Sequence, residues 1–311
     1  MSSNAESLKL PQTGILKSHL TCFLAMVMWA CSFPIAEVML ESWETVGLVL
    51  VRQSIAALAL FLFWIWVDGW HLIRGADWPR AMLVGGLGFG VGGILFLLGQ
   101  AMSDPVTPAI AAAMMPIIGA LLEVLFDGRR MRLKLVIGIV LAISGGLMAT
   151  GARLDQGSFG WGALICLVSV FLFAWASRAT TRDFTELSVV GQTAITLIGG
   201  VGSIFVIFLV MFLFGLPGAG IGLLDTEHSV MLLFTALASI ALAQFLWIRG
   251  TAGLGILFAS FHMNTVPFYV MVILVLFLGT QWNWFQAAGA ALVGAGVMLA
   301  QSGAKHVAST G

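Results

Sequence analysis

Ten apolar runs of about twenty residues follow one another along the chain: 18–37, 45–67, 80–101, 105–126, 133–151, 159–178, 189–215, 229–249, 253–278 and 282–302. A helix of about 20 apolar residues crosses the hydrocarbon core of a bilayer, so each run is long enough to span. Charged residues make up 9% of the chain and hydrophobic ones 60%, against roughly 25% charged in a soluble domain. A soluble fold of this composition would expose large apolar patches to water. A cytosolic enzyme, a secreted disulfide scaffold and a disordered tail are therefore excluded. The expected fold is an all-α integral membrane protein with ten transmembrane helices. Only Ser103, Asp104 and Pro105 separate the third run from the fourth, and the residue before a proline avoids the helical region.

Charge orients the spans. Short cytoplasmic loops collect Lys and Arg. With the N-terminus inside, twelve of the 14 basic residues fall on the inner side, from Lys9 and Lys17 through Arg74, Arg80, Arg129, Arg130 and Arg132 to Arg249 and Lys305. The outer loops carry Glu37, Glu41, Glu44, Asp104, Asp155, Asp225 and Glu227 instead, with Arg153 as the basic exception. Gaining or losing one span would scramble this alternation, so both termini are expected in the cytoplasm of a multi-pass cell-membrane protein. The stretch before Leu20 is polar and lacks a signal-peptide core. Zero net charge gives no reason to expect a nucleic-acid partner. Cys22, Cys31 and Cys166 lie in apolar runs without metal-ligand spacing.

The chain matches itself at an offset of 151 residues. Gly99 meets Gly250, Pro116 meets Pro267, Gly138 meets Gly289 and Gly145 meets Gly296, without gaps. Val124–Gly128 meets Val275–Gly279 in the same register, and Trp29-Ala30 finds a looser echo in Trp175-Ala176. The repeat unit is five spans. Five is odd, so the second copy runs upside down relative to the first, an arrangement that places a transporter's solute site at the repeat interface near the midplane. The expected organisation is a tail at 1–17, a first repeat at 18–151, an outside loop at 152–158, a second repeat at 159–302 and a tail at 303–311.

These residues resemble the drug/metabolite transporter superfamily in its ten-span EamA-like branch. Trp29 and Pro34 sit in a first span of the W-x-x-x-[FP] kind, and Arg52 begins an R-x-x-x-A run in the second. The fourth and ninth spans read Ala113 to Pro116 then Gly128, and Asn264 to Pro267 then Gly279. The resemblance covers residues 18–302 and is closest to amino-acid exporters of the YddG type. It implies export of neutral and aromatic amino acids. Many family members follow the closing Gly with Glu; here Arg129 and Thr280 stand there, which puts any role of that Glu in doubt.

Enzyme signatures such as H-E-x-x-H, G-x-S-x-G and the P-loop do not occur, and no cofactor is expected. Gly88–Gly93 matches G-x-G-x-x-G, but inside a span, where small residues serve close helix packing. Arg52 is the one cation clearly within a span, at a cost of at least about 2.5–3.5 kcal/mol. It is expected in a structural or gating role, able to snorkel towards Glu44 or Glu41, with contact to a substrate carboxylate as the alternative. Glu123, four residues before Asp127, is expected in an interfacial ion cluster, with a proton-coupling or gating carboxylate as the alternative.

Helical spacing predicts the solute wall. Trp29, Ser32 and Phe33 share one face of the first span, and Phe96 and Gln100 one face of the third. Met114 and Met115 add adaptable surface beside Pro116. Trp175, Gln244 and Trp247 come from the sixth and eighth spans, and Ser260, His262, Asn264 and Thr265 flank Pro267. Pro116 and Pro267 permit bending at matching depths, and with Arg52 and Glu123 they are the hinge and gating candidates. A polyanion would want several cations in the cavity, and a lipophilic cation a central carboxylate. A small zwitterion with an apolar side chain fits better. The expected function is export of such amino acids by alternating access. The alternatives are a multidrug or other metabolite carrier of the same fold, and further off a pore or a membrane-embedded enzyme.

Overall fold

The computed structural model describes residues 12–127, 133–149 and 160–302. Eight helical stretches among them are long and apolar enough to cross a membrane, and two shorter apolar helices, Leu133–Ala149 and Trp284–Ala300, accompany them. The expected outside loop 152–158 and the tail 303–311 lie outside the described residues, as does most of the tail 1–17.

Proline and glycine decide where the rods break. The first span runs as α1 (Gln12–Ala30) and α2 (Ser32–Leu40). The interruption at Cys31 lies three residues before Pro34, whose ring cannot clear the carbonyl of Ala30. Next come α3 (Thr45–Asp68), a short α4 (Trp70–Gly75) and α5 (Trp78–Gly85). Gly69 joins α3 to α4 at φ +76°, a region other residues rarely enter. A π-helical turn at Gly86–Val91 carries α5 into α6 (Gly92–Ala101). The fourth span divides at Met114 into α7 (Val106–Ala113) and α8 (Met115–Asp127), just before Pro116. There the backbone tightens, with Met114 N–H donating to the Ala111 carbonyl at 3.0 Å. α9 (Leu133–Ala149) closes the first half.

The second half holds α10 (Trp161–Asp183), α11 (Val189–Leu213) and α12 (Thr226–Phe234). A second π-helical segment, Thr235–Leu242, leads into α13 (Ala243–Ala259). A 3-10 segment, Ser260–Thr265, precedes α14 (Val266–Leu278), and α15 (Trp284–Ser302) ends the described chain. The boundary between the eighth and ninth spans, expected near residues 249–253, falls at Ala259 instead. The Asp104-Pro105 breaker of the first half has Gly255-Ile256 as its counterpart, which carries no proline, so the helix continues.

Packing follows small residues. α9 lies along α15. A Cβ added to Gly145 would stand 2.7 Å from the Gly289 carbonyl oxygen, and one added to Gly138 would strike the Gly296 carbonyl. α6 packs on α10 and α13 on α1, with Gly99 against Cys166 and Gly250 against Cys22. Gly88 of the G-x-G-x-x-G stretch closes on Ala176, and Gly90 on Ser203 and Gly200, as close helix packing requires. At one end Arg80 pairs with Asp183 at 2.6 Å. At the other, Gly218 and Gly220 N–H donate to Glu44, and Trp43 Nε1–H donates to the Leu223 carbonyl at 3.1 Å. Large apolar side chains such as Leu58, Leu62, Phe205, Val206 and Leu276 face outward on the helices, as a lipid-facing surface demands.

Candidate functional site

A cavity of about 120 Å³ lies inside the helix bundle, bordered by α1, α3, both π segments, α6, α7, α8, α10, α11, α13 and the 3-10 segment. Its walls are mostly aromatic and aliphatic. Trp29 stacks with Phe96 (ring centroids 5.6 Å apart) and with Phe173 (6.5 Å), and meets Phe33 edge to face at 5.2 Å. Met26, Met115 and Met263 add thioether surface, and Trp247 closes another wall.

Four residues of this wall carry a buried polar atom without a hydrogen-bond partner: Arg52 Nε, Gln53 Oε1, Ser239 Oγ and Trp247 Nε1. Gln53 is anchored through Nε2, which donates to the Phe89 carbonyl at 3.2 Å. Ser169, also on the wall, donates to the Gly92 carbonyl at 2.6 Å. Buried polar groups are nearly always satisfied in native proteins. Four of the ten unpartnered buried atoms among the described residues belong to this one wall.

Both π segments contribute directly, through Gly88 and Phe89 in one and Ser239 and Ile240 in the other. Such segments recur at functional sites because the wider turn re-aims side chains.

Of the residues expected on the wall, Trp29, Phe96, Met115, Gln244 and Trp247 border the cavity, and so does Arg52. Arg52 does not snorkel to Glu44, whose carboxylate accepts from Gly218 and Gly220. Phe33 and Met114 lie buried behind the wall, and Trp175 packs half-buried between two core clusters. Ser32 is buried and donates to the Trp29 carbonyl at 2.7 Å. Gln100 donates to the Phe33 carbonyl at 2.8 Å and borders a separate acidic vestibule of about 450 Å³ beside Glu37, Glu41 and Glu44.

The polar group before Pro267 stands apart from the cavity. His262 Nε2 lies 3.0 Å from His19 Nδ1, and Thr265 donates to the His262 carbonyl at 2.7 Å. Ser260 is buried, and Asn264 is half-buried with Oδ1 unpartnered. Pro116 and Pro267 are both buried at the breaks described above. The Glu123 side chain lies outside the described part of the structure. The sequence reading missed Gln53, Ser169, Ser239, Phe89 and Phe173. Gln53 carried a legible signal, since an amide inside a span seeks a cavity or a partner for the same reason as Arg52.

Residues 16–151 match the EamA-like transporter family. A "Probable terminal-alkyne amino-acid exporter" of Streptantibioticus cattleyicolor is 25% identical over 280 residues, covering 89% of this chain and 90% of that protein. The "Uncharacterized transporter YrdR" of Bacillus subtilis is 27% identical over 135 residues, 42% of this chain and 41% of that one. A crystal structure described only as that of a protein superposes with a TM-score of 0.67 at 17% identity, over 94% of this chain and 99% of that one; this likeness speaks to the fold alone. These relatives and the apolar helices mark the chain as a multi-pass membrane transporter rather than an enzyme, similar over residues 16–151 to the EamA-like transporter family.

Proposed function

We propose that the protein exports small neutral or aromatic amino acids across the cell membrane by alternating access, with both termini in the cytoplasm. The observation that carries this reading is the cavity. Aromatic and thioether walls accept an apolar side chain, and the unpartnered atoms of Arg52, Gln53, Ser239 and Trp247 accept a zwitterionic head. The relative named as an amino-acid exporter points the same way.

Alternating access needs two halves that exchange roles, and the packing supports reading residues 18–151 and 159–302 as inverted five-span repeats. A two-fold operation that swaps positions 151 apart turns the Gly138–Gly296 contact into Gly289–Gly145, and both contacts exist. The α6–α10 pairing becomes α13–α1, again observed. The two π segments lie at matching places, as do the breaks before Pro116 and Pro267. In this reading the helix pairs around 99–107 and 250–255 open in turn to the two sides, and the two prolines act as hinges.

Counterflow in proteoliposomes tests the function. Labelled phenylalanine should exchange saturably and be competed by unlabelled neutral amino acids. Accumulation of a cationic dye or a nucleotide sugar without amino-acid exchange would replace the substrate assignment with another carrier function. Flux that does not saturate and shows no counterflow would point to a pore.

A further inference from the structure

We infer that the cavity recognises its solute by the carboxylate and not by the amine, so that its substrate class is small amphiphilic monocarboxylates, of which neutral amino acids are one kind. This rests on the carrier reading above and narrows it.

The argument is an inventory of donors and acceptors. Arg52 brings guanidinium N–H groups, Trp247 an indole N–H and Ser239 a hydroxyl. A carboxylate, with two oxygens and about four lone-pair sites, is the group such donors fit, and the arginine fork matches it geometrically. For an ammonium the same wall offers far less. Among the described residues that line the cavity there is no carboxylate. Gln53 and Gln244 bring amide oxygens, which are neutral acceptors, and Ser239 must share its oxygen. Trp29 spends its ring faces in stacking on Phe96 and Phe173.

Charge sharpens the asymmetry. Among the described residues no ion pair engages Arg52, and its Nε has no partner inside the bundle. A solute carboxylate would neutralise it. A solute bringing only an ammonium would place a second positive charge beside it. Losing the ammonium removes a charge-assisted hydrogen bond to a neutral acceptor but also relieves its repulsion with Arg52, a change of about tenfold at most. Losing the carboxylate leaves a buried cation uncompensated, a change of at least about a hundredfold.

The test uses the purified full-length protein in detergent, with tryptophan fluorescence and thermal unfolding as binding readouts. The probes are phenylalanine, 3-phenylpropionate (no amine) and phenethylamine (no carboxylate). Phenylpropionate should bind within about tenfold of phenylalanine, and phenethylamine at least about a hundredfold more weakly. Arg52→Gln should weaken both acids strongly and tighten phenethylamine, since the repelling charge is gone. Phenethylamine binding as tightly as phenylalanine, with phenylpropionate silent, would overturn the inference and leave amino-acid transport standing. Arg52-dependent binding of phenylpropionate by a protein that exchanges no amino acid would do the reverse. No binding by any of the three would overturn the inference. Should Arg52→Gln fail to fold, the three probes on the unaltered protein decide the matter by themselves.

Discussion

Gly145→Ala should loosen the contact between α9 and α15, and its cost can be worked from the geometry. The new Cβ would lie 2.7 Å from both the Gly289 carbonyl oxygen and the Val293 nitrogen. Carbon and oxygen rest at about 3.3–3.6 Å even in a close C–H···O contact, so the helices must part by roughly 0.6 Å. Both obstacles are backbone, so no side chain can swing aside. A gap of 0.5–1 Å forfeits about a quarter to a half of each dispersion contact. Overpacking of this kind costs about 1–3 kcal/mol. Gly294→Ala on α15 is the control. Its Cβ would meet nothing within 4 Å, and alanine in a helix is favoured over glycine by about 0.5–1 kcal/mol. Unfolding in mixed micelles of increasing denaturing detergent, followed by tryptophan fluorescence, measures both. Gly145→Ala should unfold earlier than the parent protein and Gly294→Ala slightly later. Equal shifts, or a neutral Gly145→Ala, would refute the backbone-to-backbone packing of these helices.

Three further outcomes are expected. Trp29→Ala removes the ring on which Phe96 and Phe173 stack and should weaken phenylalanine counterflow at least about tenfold, which an initial-rate series in proteoliposomes would read. Ser239→Ala deletes one unpartnered hydroxyl on the wall and should raise the half-saturating concentration about fivefold, one hydrogen bond's worth, with the folded protein otherwise unchanged. A Ser18→Cys, Gly253→Cys double variant should oxidise readily, because a Cβ on Gly253 would stand 3.1 Å from the Ser18 Cβ, close to disulfide reach. If α1 and α13 part during transport, flux should stop on oxidation and return with a reductant; undiminished flux through the crosslinked protein would dispose of that motion.

What the sequence made legible was the part governed by bulk transfer and by proline. Runs of about twenty apolar residues marked the spans, and Pro34 and Pro116 stand within three residues of the observed breaks. The glycines at matching positions proved to be contact points between helices. The second-half boundary at Ala259 was hidden because no proline or charge marks it. The π segments were hidden too, since Gly86–Val91 and Thr235–Leu242 share no composition that a propensity argument could use. For the site, spacing found one face of each helix but not its depth. Trp29 and Phe96 reached the cavity, while His262 and Thr265, chosen as polar residues beside Pro267, do not border it and meet His19 and their own backbone instead.

The wide turns at Gly86–Val91 and Thr235–Leu242 bear on how this chain could change in length. A π turn houses one residue more than the α-helix around it. Deleting a residue inside either segment would let the ladder close again as α-helix, with the flanking faces still pointing where they did. The same deletion elsewhere in these rods would swing every later side chain by about 100° and turn the cavity wall towards lipid. Each segment is thus a place within its helix where a one-residue deletion is survivable, and both border the cavity.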